Sequence, residues 1–435
     1  MYSHSDGAVP APLTPVRGAG GDACPGVLRA HSAADGELVR LRVPGGFLTN
    51  DQLSALAAAA ERFADGRLSV TSRGNLELRG IGAHRTPQLR WLLKEAGLLP
   101  SAPHERMRNI VASPLAGLDT PSGTGLGARV RELDALLRER PRTAELSGRF
   151  LFVLDDGRGD VTGLGGDITL MGHGGEAAAT RLKVGDETVR IAGEYAARAA
   201  VAAAEAFLDA RDATGTGAWR VSELPADHPV RLTAALDTAA VPWLPAALPE
   251  RRTAPLPLGA HPAADGTYAL NVAPRLGRLT AAQLRLLRGP RGWVRVTPWR
   301  GFVVPGFAPA ALPVRREVLR EAGLLTDPAS PWAGVSACTG LPGCVRAHAD
   351  VRADAVPATG TGAGARGLPV HWSGCARRCG HPHGDRVDVV ATAHGHYEVR
   401  VRARGTAQPD IPVTHGTLAE RVRAARTVTL PRPAR

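Results

Sequence analysis

Long apolar runs are missing from this 435-residue chain. Nowhere does it reach the roughly 18 consecutive apolar residues that a membrane-spanning helix requires, so the sequence excludes an integral helical membrane protein. The first 20 residues are rich in Gly, Ala and Pro and lack the apolar core of a secretory signal; they read as a loose tail. Cysteine is scarce, at five residues. So few in so long a chain exclude a disulfide scaffold and point to a reducing, cytoplasmic setting. Aromatics make up only 4% and are not interleaved with basic residues. That argues against a surface that stacks nucleic-acid bases. Lysine is almost absent: of 53 basic side chains only Lys94 and Lys183 are lysine, and the rest are arginine. The net charge of +12 therefore reflects arginine. It fits either a compositional bias or an anionic partner, for which arginine's planar fork suits carboxylates and phosphates.

What is present is a repeat. "AHSAADG" at 30–36 returns as "AHPAADG" at 260–266, "TNDQL" at 49–53 as "TAAQL" at 280–284, and "KEAGLLP" at 94–100 as "REAGLLT" at 320–326. Order and spacing both persist, which indicates an internal duplication. In the first copy Val39, Leu41 and Val43 alternate with Arg40 and Arg42, the period of a half-buried strand. Thr49 with Gln52, and Thr280 with Gln283, each form a capping box that opens a helix. Leu53, Leu56, Ala57, Ala60 and Phe63 make one apolar helix face. Leu68/Val70 and Leu76/Leu78 give two further strands, and Thr86-Pro87 opens a second helix that ends at Gly97. Strand, helix, strand, strand, helix is a ferredoxin-like α+β half, and two such halves can pack about a pseudo-two-fold axis. Residues 194–210 form a further helix. The expected division is a tail at 1–23, half-domains at 24–100 and 251–312, larger domains at 101–250 and 313–428, and a tail at 429–435.

Four of the five cysteines fall in one window as C-x5-C, a gap of 30 residues, then C-x3-C: Cys338, Cys344, Cys375 and Cys379. Structural zinc sites favour two-residue gaps within each pair. Four thiolates suit an iron–sulfur cluster, which tolerates looser spacing. Zinc and ordinary buried or redox thiols are the alternatives. Cys24 stands apart and reads as an ordinary half-buried residue.

This cysteine pattern resembles that of the nitrite/sulfite reductase superfamily, and three further segments carry the same resemblance: "TSRGNLELRG" with Thr71 and Arg73, "RVPGGFLT" at 42–49, and "RMRNIVASPLAG" with Arg108 and Asn109. The resemblance implies duplicated ferredoxin-like half-domains with two reductase-type α/β domains in pseudo-two-fold arrangement, and a [4Fe–4S] cluster held by the four cysteines beside a tetrapyrrole. Departures are informative. Gly74 stands where the reductases carry Gln. In "GRFLF" Arg149 replaces one of two anion-binding lysines and Leu151 removes the other. Ala376, Arg377 and Arg378 lie between the last two cysteines. "GCARRCGHP", "VTPWRG" and the modest length are similar instead to the precorrin-3B synthase branch.

That branch implies an NADH- and O2-dependent monooxygenase of cobalamin biosynthesis. Precorrin-3A is its substrate, hydroxylation is followed by γ-lactone closure, and electrons come from NADH through a reductase or ferredoxin. Sirohaem enters only under the alternative, a sulfite or nitrite reductase. A second alternative is a non-catalytic iron–sulfur or zinc protein that binds nucleic acid. The carboxylate-edged substrate calls for fixed cations, for which Arg73, Arg108, Arg149, Arg300 and Arg377 are the candidates, with Arg106 and Arg378 nearby. The alternative for any one of them is a solvated surface charge, which weighs equally for Arg106 and Arg149 and less for Arg73 and Arg108, where the motif match is better. Trp299 is a candidate stacking residue. The resemblance also implies a mononuclear non-haem iron. His348, His371, His381 and His383 flank the cysteines, but spacing assigns none of them to it.

Overall fold

Two strands of three residues each cross between the repeated halves and decide how the molecule is put together. In this computed structural model, which describes residues 22, 24–119, 125–173, 176–247, 249, 255–359, 367–382, 384–403, 406–407 and 411–428, Phe47–Thr49 leaves its own half. It pairs antiparallel with Trp293–Val296 of the second. Arg278–Thr280 does the reverse, pairing with Arg67–Val70 of the first. Each half therefore completes the other's sheet. The first sheet runs His31–Ala33, Gly36–Leu41, Leu76–Ile81, Arg67–Val70, Arg278–Thr280; the second runs Gly259–Pro262, Tyr268–Pro274, Phe302–Phe307, Trp293–Val296, Phe47–Thr49. The exchange requires glycine at Gly46: its φ is 73°, and a Cβ there would stand 2.0 Å from the Val296 carbonyl oxygen.

Both capping boxes form, at Thr49/Gln52 ahead of helix Asn50–Phe63 and at Thr280/Gln283 ahead of helix Ala281–Leu286. The apolar face Leu53, Leu56, Ala57, Ala60 and Phe63 is buried in a core continuous with Leu270, Val294, Phe302, Leu319 and Leu324. Helix Leu312–Glu321 contributes Leu319 to that core and is the counterpart of Thr86–Glu95. The second half thus runs past the expected boundary at residue 312, because its closing helix needs the shared core to bury its apolar side.

Two larger α/β domains flank this centre. In the first, Ile110–Ala112, Phe152–Asp155 and Ile168–His173 are parallel neighbours, extended by antiparallel strands as far as Trp243–Pro245. Helices Leu126–Glu139 and Ala196–Thr214 pack on it, the latter being the helix read at 194–210. In the second, Val335–Ala337, Val370–Ser373 and Arg386–Ala393 are parallel and His396–Ala403 is antiparallel. Strands Phe152–Asp155 and Val370–Ser373 are buried throughout, as expected of parallel strands covered on both faces. No helix among the described residues is long and apolar enough to cross a membrane. His383 and the two tails, Asp22 excepted, lie outside the described residues.

Candidate functional site

The second α/β domain delivers its cysteines from the C-terminal ends of its parallel strands. Cys338 directly follows Val335–Ala337, and its N–H donates to the Trp372 carbonyl at 2.9 Å. Gly374 follows Val370–Ser373 and donates its N–H to the Cys338 sulfur at 3.1 Å. A Cβ on Gly374 would stand 2.7 Å from that of Ala347, so only glycine lets the two cysteine loops close on each other. Cys344 N–H donates to Gly340 O, and Arg378 N–H to Cys375 O, closing a tight turn within each pair. Cys338, Cys344 and Cys375 are half-buried, Cys379 is exposed, and all are free thiols.

Burial pushes the Cys338 thiol up, opposed by the N–H groups of Gly374 and Gly340. Cys379 is pushed up by burial and then by the neighbouring Cys338 and Cys375, with Cys344 adding to it. The four sulfurs therefore share one electrostatic neighbourhood. Among the described residues no three His, Cys, Asp or Glu side chains are close enough to hold a single metal ion. Four free thiols on two loops tied to each other, with an N–H already aimed at one sulfur, are the ligand type that an iron–sulfur cluster takes.

Against this wall opens a cleft of about 440 Å³, within the roughly 300–1,000 Å³ usual for small-molecule and cofactor sites. Cys338 and Cys379 line it, and so do Arg40, Arg73, Arg149, Arg300 and Arg352. Glu77 is the one carboxylate on its walls among the described residues, and it is already taken by Arg40 at 2.9 Å. Arg73 donates to the Arg149 carbonyl at 2.9 Å, and Arg149 itself lies over the Trp219 ring. Arg300 donates to the carbonyl of Gly380, next to Cys379, and holds a left-handed φ of 58°. Burial depresses Arg73, Arg300 and Arg352 to about 10, with the Arg220 charge adding to the effect at Arg73 and Arg278 at Arg352. They stay charged at neutral pH. Arg73 and Arg300 come from the matching strand-connecting loops of the two halves.

On the far side of Arg300 a second, apolar cleft of about 440 Å³ shares Ser72, Gly277 and Arg300 with the first and is walled by Leu256, Trp299 and Trp332.

Three of the five candidate arginines thus meet in the cationic cleft. Arg108 does not. It forms a buried fork with Asp134, at 2.6 and 2.9 Å, and faces a separate groove. Arg377 is exposed on the cysteine loop and is not among the residues that line the cleft. Arg378 turns toward the buried Asp388 at 3.6 Å, and Arg106 donates to the Asp22 carbonyl. Leu151 is buried with Val111, Val153 and Val161, and Trp299 packs on that cluster. His371 has both ring nitrogens engaged, by Ser336 Oγ at 2.9 Å and Cys379 O at 3.0 Å. Burial, followed by the Arg300 charge, holds its pKa well below the usual value, so it braces the cysteine loop as a neutral ring. His348 and His381 are exposed.

Sequence reasoning missed Arg40 and Arg352, and placed Cys24 apart although it too lines the cleft. Arg40 was visible as an outward residue of an alternating strand. Arg352 carried no signal.

Comparisons with known proteins agree with this architecture. Residues 31–96 match the nitrite/sulfite reductase ferredoxin-like half domain. The chain is 28% identical to a precorrin-3B synthase from Sinorhizobium sp over 385 residues, covering 86% of this chain and 81% of that one. It is 25% identical to a ferredoxin–nitrite reductase from Synechococcus elongatus over 401 residues, covering 79% and 74%. The solved structure of the Mycobacterium tuberculosis NirA protein superposes with a TM-score of 0.71 at 19% identity, covering 88% of this chain and 79% of that one. The chain therefore has the nitrite/sulfite reductase-type fold, and the superfamily resemblance read from its cysteines and half-domain motifs is borne out.

Proposed function

We propose that this chain is an oxidoreductase of cobalamin biosynthesis of the precorrin-3B synthase type, acting on the metal-free tetrapyrrole precorrin-3A. The observation that carries the proposal is the cleft: five arginines, one already-paired carboxylate, and a wall of cysteines. A tetrapyrrole edged with acetates and propionates matches this charge, since arginine binds a carboxylate through two parallel hydrogen bonds. Its similarity to a precorrin-3B synthase over most of both chains supports the same reading.

Cys338, Cys344, Cys375 and Cys379 would hold a [4Fe–4S] cluster. When bound, such a cluster supplies single electrons, which triplet O2 needs in order to react with a closed-shell substrate. The chain's own residues do the rest. Arg73 and Arg300 grip opposite edges of the ring from the two halves, and Arg149 is held against Trp219 so that its charge meets the ligand in one place. Binding buries the ring between these cations and excludes water from the cysteine wall, which strengthens each ion pair. The net reaction puts one oxygen atom of O2 into the substrate and the other into water. It consumes two protons and two electrons from NADH, passed on by a reductase or ferredoxin in the cytoplasm. Attack of a substrate acetate on the ring carbon beside the newly oxygenated one then closes the γ-lactone; the bonding pair displaced from that carbon takes up the carboxyl proton, so no atom is lost.

The test is turnover of precorrin-3A under 18O2 by protein purified without oxygen. The expected product carries one labelled atom and forms only when O2 and an electron donor are both present. A preparation that carries sirohaem and reduces sulfite or nitrite at about 1 per second or faster overturns the proposal in favour of a reductase, a reading that Leu151 in its apolar cluster disfavours.

A further inference from the structure

Arg352 differs from the other cleft cations in how it is anchored. It lies in the first turn of helix Val351–Thr359, where the Asp350 carboxylate accepts from the N–H groups of Arg352 (3.2 Å) and Ala353 (3.1 Å). That helix start is tied to the Cys338–Cys344 loop: Leu341 N–H donates to Ala349 O at 2.9 Å, and Val351 packs against Gly340 so closely that a Cβ there would meet it at 2.9 Å. The Arg352 side chain crosses from this loop to the facing half, where Nη1 reaches the Leu276 carbonyl at 3.3 Å. Its Nε is buried without a hydrogen-bond partner. Among the described residues it has no ion-pair partner, although it lies within electrostatic reach of Cys338 and Arg300. Arg352 and Cys338 thus line the same cleft, the cation within electrostatic reach of the thiol.

Resting on the function proposed above, we infer that Arg352 couples occupancy of the cleft to the electron affinity of the cluster. A fixed positive charge beside a ligating thiolate stabilises the added electron and raises the reduction potential. A substrate carboxylate docking on Arg352 neutralises that charge, so the potential falls when the cleft fills. By linkage the effect is reciprocal: reducing the cluster weakens ligand binding by the same factor. The consequence is directional. With the cleft empty the electron, supplied by the external donor, is retained. With substrate in place it is released more readily toward O2. Electron transfer is thereby matched to a filled cleft, and O2 is spared reduction in an empty one. Arg73 lines the same cleft but is held by the Arg149 carbonyl at 2.9 Å, and its charged neighbours are Arg220, Cys24, Asp167 and Arg40. It binds ligand without this second role.

The experiment is a dithionite titration under argon, read by electron paramagnetic resonance of the reduced cluster, with and without precorrin-3A. Cluster-loaded wild type, Arg352→Gln, Arg352→Lys and Arg73→Gln are compared. In the wild type the midpoint is expected to drop on adding ligand. Arg352→Gln starts lower and drops less. Arg352→Lys stays near the wild type, and Arg73→Gln keeps the ligand-free midpoint while binding ligand more weakly. A wild type whose midpoint ignores the ligand overturns the inference, even if Arg352→Gln fails to fold. So does an Arg352→Gln that matches the wild type throughout. A chain that assembles no cluster, or a clustered chain that does not bind precorrin-3A, overturns the proposed function itself.

Discussion

The two α/β domains make the same main-chain bonds at the same strand ends and use them for opposite purposes. After Ile110–Ala112 comes Ser113, whose N–H donates to Leu154 O at 3.1 Å; after Val335–Ala337 comes Cys338, whose N–H donates to Trp372 O at 2.9 Å. Asp156 N–H donates to Ser113 Oγ at 3.3 Å, just as Gly374 N–H donates to Cys338 Sγ at 3.1 Å. The backbone is duplicated and the side chains are not. In the first domain the space is closed by charge. Ser113 donates to Asp160 at 2.6 Å, Arg158 pairs with Asp156 and Asp119, and Arg295 enters from the ferredoxin-like half to donate to the carbonyls of Ser113, Pro114 and Ala116. In the second domain the equivalent space is lined with thiols and opens on the arginine cleft. One scaffold thus supports a polar plug closed by ion pairs and an open, cysteine-walled cleft, which is why the fold alone does not name the chemistry.

The largest expected effect breaks this comparison at the cysteines. Replacing Cys338, Cys344, Cys375 or Cys379 with Ser removes most of the bound iron and sulfide, whereas Cys24→Ser and the positional counterpart Ser113→Ala leave both intact. Iron and acid-labile sulfide per chain are the readout, and a full cluster in the Cys375→Ser protein contradicts the assignment. Next comes Arg108, which is paired with Asp134 away from the cationic cleft. Asp134→Ala strands the buried Arg108 and is expected to cost about 3–5 kcal/mol of stability by denaturant unfolding, with ligand affinity unchanged in the folded fraction.

Much of the fold was legible because its signals are local or repeated. The caps at Thr49 and Thr280, the strand alternation around Val39 and the cysteine spacing all depend on near neighbours. The exchange of Phe47–Thr49 for Arg278–Thr280 was not legible, since three residues carry too little pattern to say which sheet they join. Arg352 reaches the cleft only through a helix packed on the Cys338–Cys344 loop. Arg108 was a candidate through its family-like motif, and its pairing with Asp134, 26 positions away on a helix, left no trace in the sequence. Side chains that depend on such distant partners cannot be sorted from spacing.

Asp160 sharpens the comparison through pH. Burial, and then the nearby Asp155, raise its pKa from 3.8 to about 7 against the opposing hydrogen bond from Ser113. The folded state then holds a proton that the unfolded state has released, so stability falls as pH rises from about 4 to about 7 and levels off above that. Asp160→Asn should flatten this slope, as measured by urea midpoints across that range; an unchanged slope rejects the assignment. The smallest effect tests the symmetry of the halves. Thr49→Ala and Thr280→Ala each remove one capping box and should cost similar amounts, about 0.5–2 kcal/mol; a several-fold difference between them contradicts equivalent roles.

The central claim is that the cationic cleft holds a carboxylate-edged tetrapyrrole beside the cysteine wall, and the most direct test is the affinity of precorrin-3A for wild type, Arg73→Ala and Arg300→Ala. Each substitution removes one charge-assisted pair, so each should weaken binding by roughly 1.5–3 kcal/mol, about ten- to a hundred-fold. Unchanged affinity in both variants, with each correctly folded, would contradict the account.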